Sequence, residues 1–378
     1  MFENLKSFCD SFLEVIPGFD IVVYHDGKCV FRHMGGYSDL ENKIPMNGKE
    51  RYNLYSCTKF ITCVAALQLW EKGYFSLDDK LSDYMPEFTE MTLKTEDGIK
   101  KAEQPILIKH LFEMSTGFAY DCGSVEIQEA FAATDGRCPT RETMKYLAKR
   151  PLLFEPGTKW EYGFSHDILA ALVEVLSGEK FENYVKKNIF DPLGMKDSTL
   201  MLPEDELDTI CAQYKCRDGK IVNVGKPIRT FKLGSEYASG GAGAISTVDD
   251  YIKFMEAVRT GVLLKPETVV LMSTDRLSPS QRETYTHRPT HGYGLGVRAP
   301  KEGDVRLDFG WGGAAGAYWA IDLKHKISIY HAQHILAPPN QVMRRYIYPY
   351  VISDFFGEEA FTALLPEKII FGQDKHTF

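Results

Sequence analysis

The sequence lacks a basic run, a long apolar stretch and any close pairing of cysteines, and each absence removes a class of function. Lys+Arg number 44 against Asp+Glu 52, a net charge of -8. Without clustered cations to displace counterions, a nucleic-acid partner is excluded. No stretch of about 18 apolar residues occurs, so no membrane span is expected. The N-terminal MFENLKSFCDSFLEVIPGFD has no basic segment followed by an apolar one and does not read as a signal peptide. The expected location is the cytoplasm. The eight cysteines (Cys9, Cys29, Cys57, Cys63, Cys122, Cys138, Cys211, Cys216) show no CxxC spacing and read as free thiols. Neither a metal framework nor a cofactor is expected. No GxSxG is present, which removes the nucleophile elbow of α/β-hydrolases, and no internal repeat is visible.

What is present is an ordinary globular composition, 44% hydrophobic and 25% charged over 378 residues, enough for about two domains. The apolar runs at 19–24 and 29–33 flank His25-Asp26-Gly27-Lys28, the turn chemistry of a hairpin. Near the other end, 305–309, 316–323 and 326–332 read as strands. Between them lie helical patterns at 58–72, 107–114, 140–150, 166–176, 181–189 and 248–259, several stopped by glycine. The polar stretches 94–105 and 273–291, with 118–139, read as loops. The expected fold is α/β (α+β): an antiparallel sheet flanked by helices and built from both chain ends, residues 1–74 with 241–378. A mostly helical domain, 75–240, is inserted, and the cleft between the two is the expected site.

Three segments carry chemistry. In Tyr55-Ser56-Cys57-Thr58-Lys59, a serine at the mouth of a helix has a lysine three residues on, so both side chains share a face. A serine hydroxyl needs a base to take its proton, and a lysine desolvated by an apolar helix can serve. SxxK alone is weak, because Ser56 also reads as a helix cap, and a second copy at Ser177-Gly178-Glu179-Lys180 sits where Ser-Gly punctuates a helix end. The second segment is Tyr162-Gly163-Phe164, ahead of a helix, where a phenol can face the serine or simply be a half-buried aromatic. The third is Gly310-Trp311-Gly312-Gly313-Ala314, glycine-rich chain that permits close backbone approach, or else a bulged edge strand. Gly292-Tyr293-Gly294-Leu295-Gly296 reads as a turn before a strand, His331 and His334 as structural, His166 as a polar helix start, and Cys57 as a small buried filler.

With these segments in order, the sequence resembles the penicillin-recognising serine hydrolases: serine β-lactamases, DD-peptidases and family VIII carboxylesterases, with a class C β-lactamase-like fold. The resemblance spans roughly residues 15 to 335. Ser56-Cys57-Thr58-Lys59 matches the SxxK element. Tyr162-Gly163-Phe164 stands where class C β-lactamases carry Tyr-x-Asn, and Trp311-Gly312-Gly313 where β-lactamases carry Lys-Thr-Gly. Segments 108–117, 154–157 and 239–247 are similar as well. The resemblance implies a covalent acyl-enzyme. Ser56 is the nucleophile, Lys59 and Tyr162 share the proton transfers, the backbone N–H groups of Ser56 and Ala314 hold the oxyanion, and Trp311, Gly312 and Gly313 line the substrate. Trp311 cannot supply the charge-assisted hydrogen bond with which a β-lactamase lysine holds a carboxylate, and a Trp-Gly-Gly element is what family VIII esterases show. The leading expectation is therefore an esterase on small or medium acyl esters, its partner a small-molecule ester or amide. A β-lactamase or D-amino-acid peptidase is the alternative and requires a substitute cation, Arg298 or Arg229. A non-turnover penicillin-binding sensor or structural paralogue is the third reading. The oligomeric state is left open.

Overall fold

A computed structural model describes residues 2–225, 233–287, 290–341 and 343–364. The Asp-Gly turn forms as its chemistry requires. Asp26 and Gly27 both take positive φ (47° and 79°), the twist that joins two adjacent antiparallel strands. Gly18–His25 thus pairs antiparallel with Lys28–Asp39, and on its other edge with Ile327–Gln333. The main sheet has eight strands in the order 292–293, 298–299, 309–312, 318–322, 327–333, 18–25, 28–39, 44–45. All of its pairings are antiparallel, and both chain ends contribute.

Both faces of this sheet are covered, which is why its central strands read as continuous apolar runs rather than as alternation. Ile21 and Val23 face a cluster with Leu5, Phe12, Ile347 and Val351, so the helices Glu3–Asp10 and Ile347–Phe356 cover one side. Val22 faces the other cluster, with Phe60, Phe254 and Trp319, under the helices Thr58–Glu71 and Val248–Arg259. Phe60 stacks on Trp319 with ring centroids 4.2 Å apart and planes 13° from parallel. This contact fixes the base of the Thr58–Glu71 helix against the strand next to Trp311.

Between the two halves of the sheet the predicted helices appear at Ile108–Phe112, Thr140–Leu147, Ser165–Ser177 and Phe181–Val185. Five sequence expectations are corrected. Residues 94–105 are not a plain loop: Thr92–Thr95 and Gly98–Lys101 form a hairpin, whose second strand is exposed throughout and so shows no apolar alternation. The stretch 118–139 contains the helix Val125–Ala133. Within 273–291, Ser278 caps the helix Pro279–Thr284 through a capping box with Gln281. The strand expected at 305–309 starts only at Phe309, because Arg306 and Asp308 are drawn into a buried ion cluster with Arg298. The short strand Gly292–Tyr293 replaces the expected turn. Among the described residues no helix is long and apolar enough to cross a membrane.

Burial also fixes a pH response. Six of the ten histidines (His110, His166, His287, His291, His331, His334) are held below the ordinary imidazole range, first of all by desolvation. His110 is pushed down to about 4 and His331 to about 3. A base that is neutral when folded but protonated when unfolded stabilises fully above the unfolded value and loses that contribution as pH falls. Stability is therefore expected to drop below about pH 6.5, by about 1.4 kcal/mol per pH unit for each such histidine. Urea midpoints at neutral and mildly acid pH measure this. His331→Leu, at a site where neither ring nitrogen has a hydrogen-bond partner, should shallow the pH dependence by one histidine's share.

Candidate active site

The chain reaches Ser56 under strain. Tyr52–Asn53 pairs with Ile245–Ser246, and Tyr55 then turns the backbone with φ 46°, a region that costs a non-glycine residue roughly 1–3 kcal/mol. The Tyr55 side chain is buried and its hydroxyl donates to Gln213 Oε1 at 3.2 Å, which holds the turn in place. The short 3-10 turn Tyr55–Cys57 feeds the helix Thr58–Glu71, which is buried on all sides from Thr58 to Leu67. Lys59, the second residue of that helix, is consequently only 1% exposed, while Ser56 beside it is half-buried.

Lys59 Nζ makes three contacts, one for each hydrogen an ammonium carries. It lies 3.3 Å from Ser56 Oγ, 3.2 Å from the Tyr120 hydroxyl and 2.7 Å from the Gly241 carbonyl oxygen. Tyr162 closes the group, its hydroxyl bonding directly to Ser56 Oγ. Nζ also sits 4.5 Å from the centre of the Tyr162 ring, close enough for a cation–π attraction. The sequence segments around 56, 59 and 162 therefore meet at one hydroxyl.

Trp311 stands beside this group in the strand Phe309–Gly312. Its indole stacks on Tyr162 at 5.9 Å and 20° and meets Tyr293 edge-on at 5.5 Å, so the wall next to the serine is aromatic. Gly312 pairs with Tyr318, and Gly313 opens the turn that carries Ala314. A Cβ on Gly313 would stand 2.6 Å from the Leu54 carbonyl oxygen and 3.4 Å from Cys57 Sγ. The turn bearing Ala314 thus presses on the turn bearing Ser56, and only a residue without a side chain allows that approach.

Several residues take other places. Arg298 gives Nη2 to Asp308 Oδ2 at 2.6 Å in a buried pair that Arg306 completes, so its charge is committed to Asp308. Arg229 lies outside the described residues. Phe164, at the position of a β-lactamase asparagine, packs edge-on against Tyr120 at 4.8 Å. His166 is turned toward Cys63 Sγ, 3.1 Å away, and burial, then Lys59, holds it well below the imidazole range. Burial pushes the Cys57 thiol up to about 12, so it is no rival nucleophile to the adjacent serine. Ser177 ends a helix and Lys180 is exposed beside Glu236, so the second SxxK is punctuation. Among the described residues no group of three or more His, Cys, Asp or Glu is placed to hold a metal ion.

Four residues of the site were missed by sequence reasoning: Tyr55, Tyr120, Asp167 and Gly241. Tyr120 has no motif of its own, and Gly241 lies in the segment 239–247, whose similarity to the family assigns the glycine no role. Asp167 stands five residues after Tyr162, so its signal was an acid in the first turn of an otherwise apolar helix, which reads equally as a helix-dipole residue.

A family model described as Beta-lactamase matches residues 5–347. The chain is similar to esterase EstB of Burkholderia gladioli, 28% identical over 82% of this chain and 83% of that one. It is 30% identical to the lovastatin esterase of Penicillium rubens over 75% of this chain and 79% of that one. Among solved structures, EstCE1, described as a hydrolase with promiscuous acyltransferase activity, superposes with a TM-score of 0.74 at 23% identity, covering 96% of this chain and 97% of that one. Matched along nearly its whole length, the chain belongs to the beta-lactamase family.

Proposed function

We propose that the protein is a serine esterase for small or medium acyl esters that works through a covalent acyl-enzyme, with Ser56, Lys59 and Tyr162 as its catalytic residues. The observation that carries this reading is Trp311 stacked on Tyr162 beside the serine, where an apolar wall replaces a cation. The named esterases among its relatives support it. Ser56 Oγ adds to the ester carbonyl while its proton passes to the Lys59–Tyr162 pair, which returns it to the departing alcohol. Both Lys59 Nζ and the Tyr162 hydroxyl touch Ser56 Oγ, so the base is assigned to the two together. The N–H groups of Ser56 and Ala314 stabilise the oxyanion, and water or an acceptor alcohol then releases the acyl group. The site would lie between a sheet unit, 1–74 with 241–378, and the inserted unit 75–240. Eight unpaired thiols support a reducing, cytoplasmic setting.

The test is steady-state hydrolysis of p-nitrophenyl butyrate and nitrocefin in parallel. Fast ester cleavage with little nitrocefin turnover is expected, and Ser56→Ala should lose roughly 10³-fold or more in kcat. Equal ester rates for Ser56→Ala and wild type would sink the proposal. Tyr162→Phe should cost about 10²–10⁴-fold.

The residue at 311 gives a separate prediction. Trp311→Lys exchanges the apolar face for a cation able to hold a carboxylate. Ester kcat/KM should fall and the nitrocefin-to-ester ratio should rise by about tenfold or more, as about 1.4 kcal/mol of altered discrimination requires. A ratio unchanged from wild type would show that Trp311 does not set substrate choice.

A further inference from the structure

Lys59 is almost fully buried and, among the described residues, bonds directly to no carboxylate. A buried cation is costly unless a negative charge is close by. Asp167, 1% exposed near the start of the helix Ser165–Ser177, shares two hydrogen-bond partners with Lys59. Tyr120 receives a hydrogen bond from Lys59 Nζ and gives its own proton to Asp167 Oδ2 at 3.3 Å. The Gly241 carbonyl accepts from Lys59, and the Gly241 N–H lies 3.4 Å from Asp167 Oδ1. Two routes, one phenolic and one through a peptide, thus join the ammonium to one carboxylate.

That carboxylate also holds the loop that covers Lys59. Tyr237 and Ser239 donate to Oδ1 at 2.9 and 2.7 Å. Gly241 fits only without a side chain, since a Cβ there would stand 2.1 Å from the Tyr120 hydroxyl and 2.6 Å from Asp167 Oδ2. Burial, then the Asp167 charge, raises the Tyr120 phenol well above its ordinary range, so it stays protonated and keeps the direction of the relay.

We infer that Asp167 is the counter-charge of Lys59, a positioning residue that acts through the Tyr120 hydroxyl and the Gly241 peptide. The inference rests on the esterase reading above. The other titratable groups around the pair are Tyr162, Cys57, Cys63 and His166 on the Lys59 side, and Tyr237 and Cys122 on the Asp167 side. The thiols and phenols among them that carry a resolved shift are raised, and the imidazole is lowered. The three thiols, the Tyr237 phenol and the His166 imidazole are thereby held neutral near pH 7, and Asp167 is the one carboxylate among the groups named.

The experiment is the pH profile of kcat/KM for p-nitrophenyl butyrate, from about pH 6 to about pH 10, with Asp167→Asn and Tyr120→Phe beside wild type. Removing the negative charge makes the Ser56 proton acceptor easier to deprotonate, whether that acceptor is Lys59 or Tyr162. The ascending limb should therefore move to lower pH, by about one unit for Asp167→Asn and by less for Tyr120→Phe, with KM little altered. A second readout, the pH dependence of Ser56 labelling by a fluorophosphonate, should shift in the same direction and needs no turnover. If Asp167→Asn alters only the height of the profile or the melting temperature, the residue is a structural clasp and the inference falls. Wild-type protein that neither cleaves the ester nor labels at Ser56 overturns the esterase reading and this inference with it. Labelling with an unmoved profile overturns the inference alone.

Discussion

A lysine ammonium that is 1% exposed is the constraint around which the rest of the centre is arranged. Water no longer solvates it, so the protein must supply an acceptor for each of its hydrogens. It takes one from the serine, one from a phenol and one from a backbone carbonyl. Each acceptor comes from a different part of the chain, 56, 120 and 241. None of the three segments can be displaced without stranding a buried charge, so a local electrostatic requirement becomes a requirement on the packing of three distant elements.

The same helix shows how that burial is achieved. A helix that is apolar around its whole circumference has no solvent face, and Thr58–Glu71 lies under the sheet on one side and against the Ser165–Ser177 helix on another. The lysine is dry because its helix is internal, and no separate lid is needed. The Tyr162–Trp311 stack extends this dry environment to the mouth of the site, where a lysine in place of Trp311 would have brought water and charge next to Tyr162.

Much of this was legible in the sequence, and the failures have a common cause. Ser56, Lys59, Tyr162 and Trp311 could be found because each belongs to a short motif with local spacing. The sheet could be found at both ends because buried strands leave dense apolar runs. Tyr120 and Asp167 were missed because their meaning lies in contacts with residues far away in sequence, 61 residues in one case and up to 74 in the other. The helix Val125–Ala133 was missed because only Ile127 and Ala130 are buried on it, too few to mark a periodic face. The hairpin at 92–101 hid for the opposite reason, since an exposed strand has no apolar alternation to read.

The pairing of the fifth and sixth strands of the sheet joins residue 22 to residue 330. An interior strand of the finished sheet, 18–25, is thus made long before its partner at 327–333. At a synthesis rate of about 5–20 residues per second, the first strand waits roughly 15 to 60 s for that partner. During this time Ile21, Val22 and Val23, all at most 1% exposed in the finished fold, have nothing to cover one edge of their strand, and the Ile347–Phe356 and Val248–Arg259 helices that complete the cover of its two faces are not yet all in place. The nascent chain therefore carries an apolar strand with an unpaired edge while the residues between the two strands are made, and its yield in a cell depends on what shelters residues 18 to 25 until residue 333 emerges.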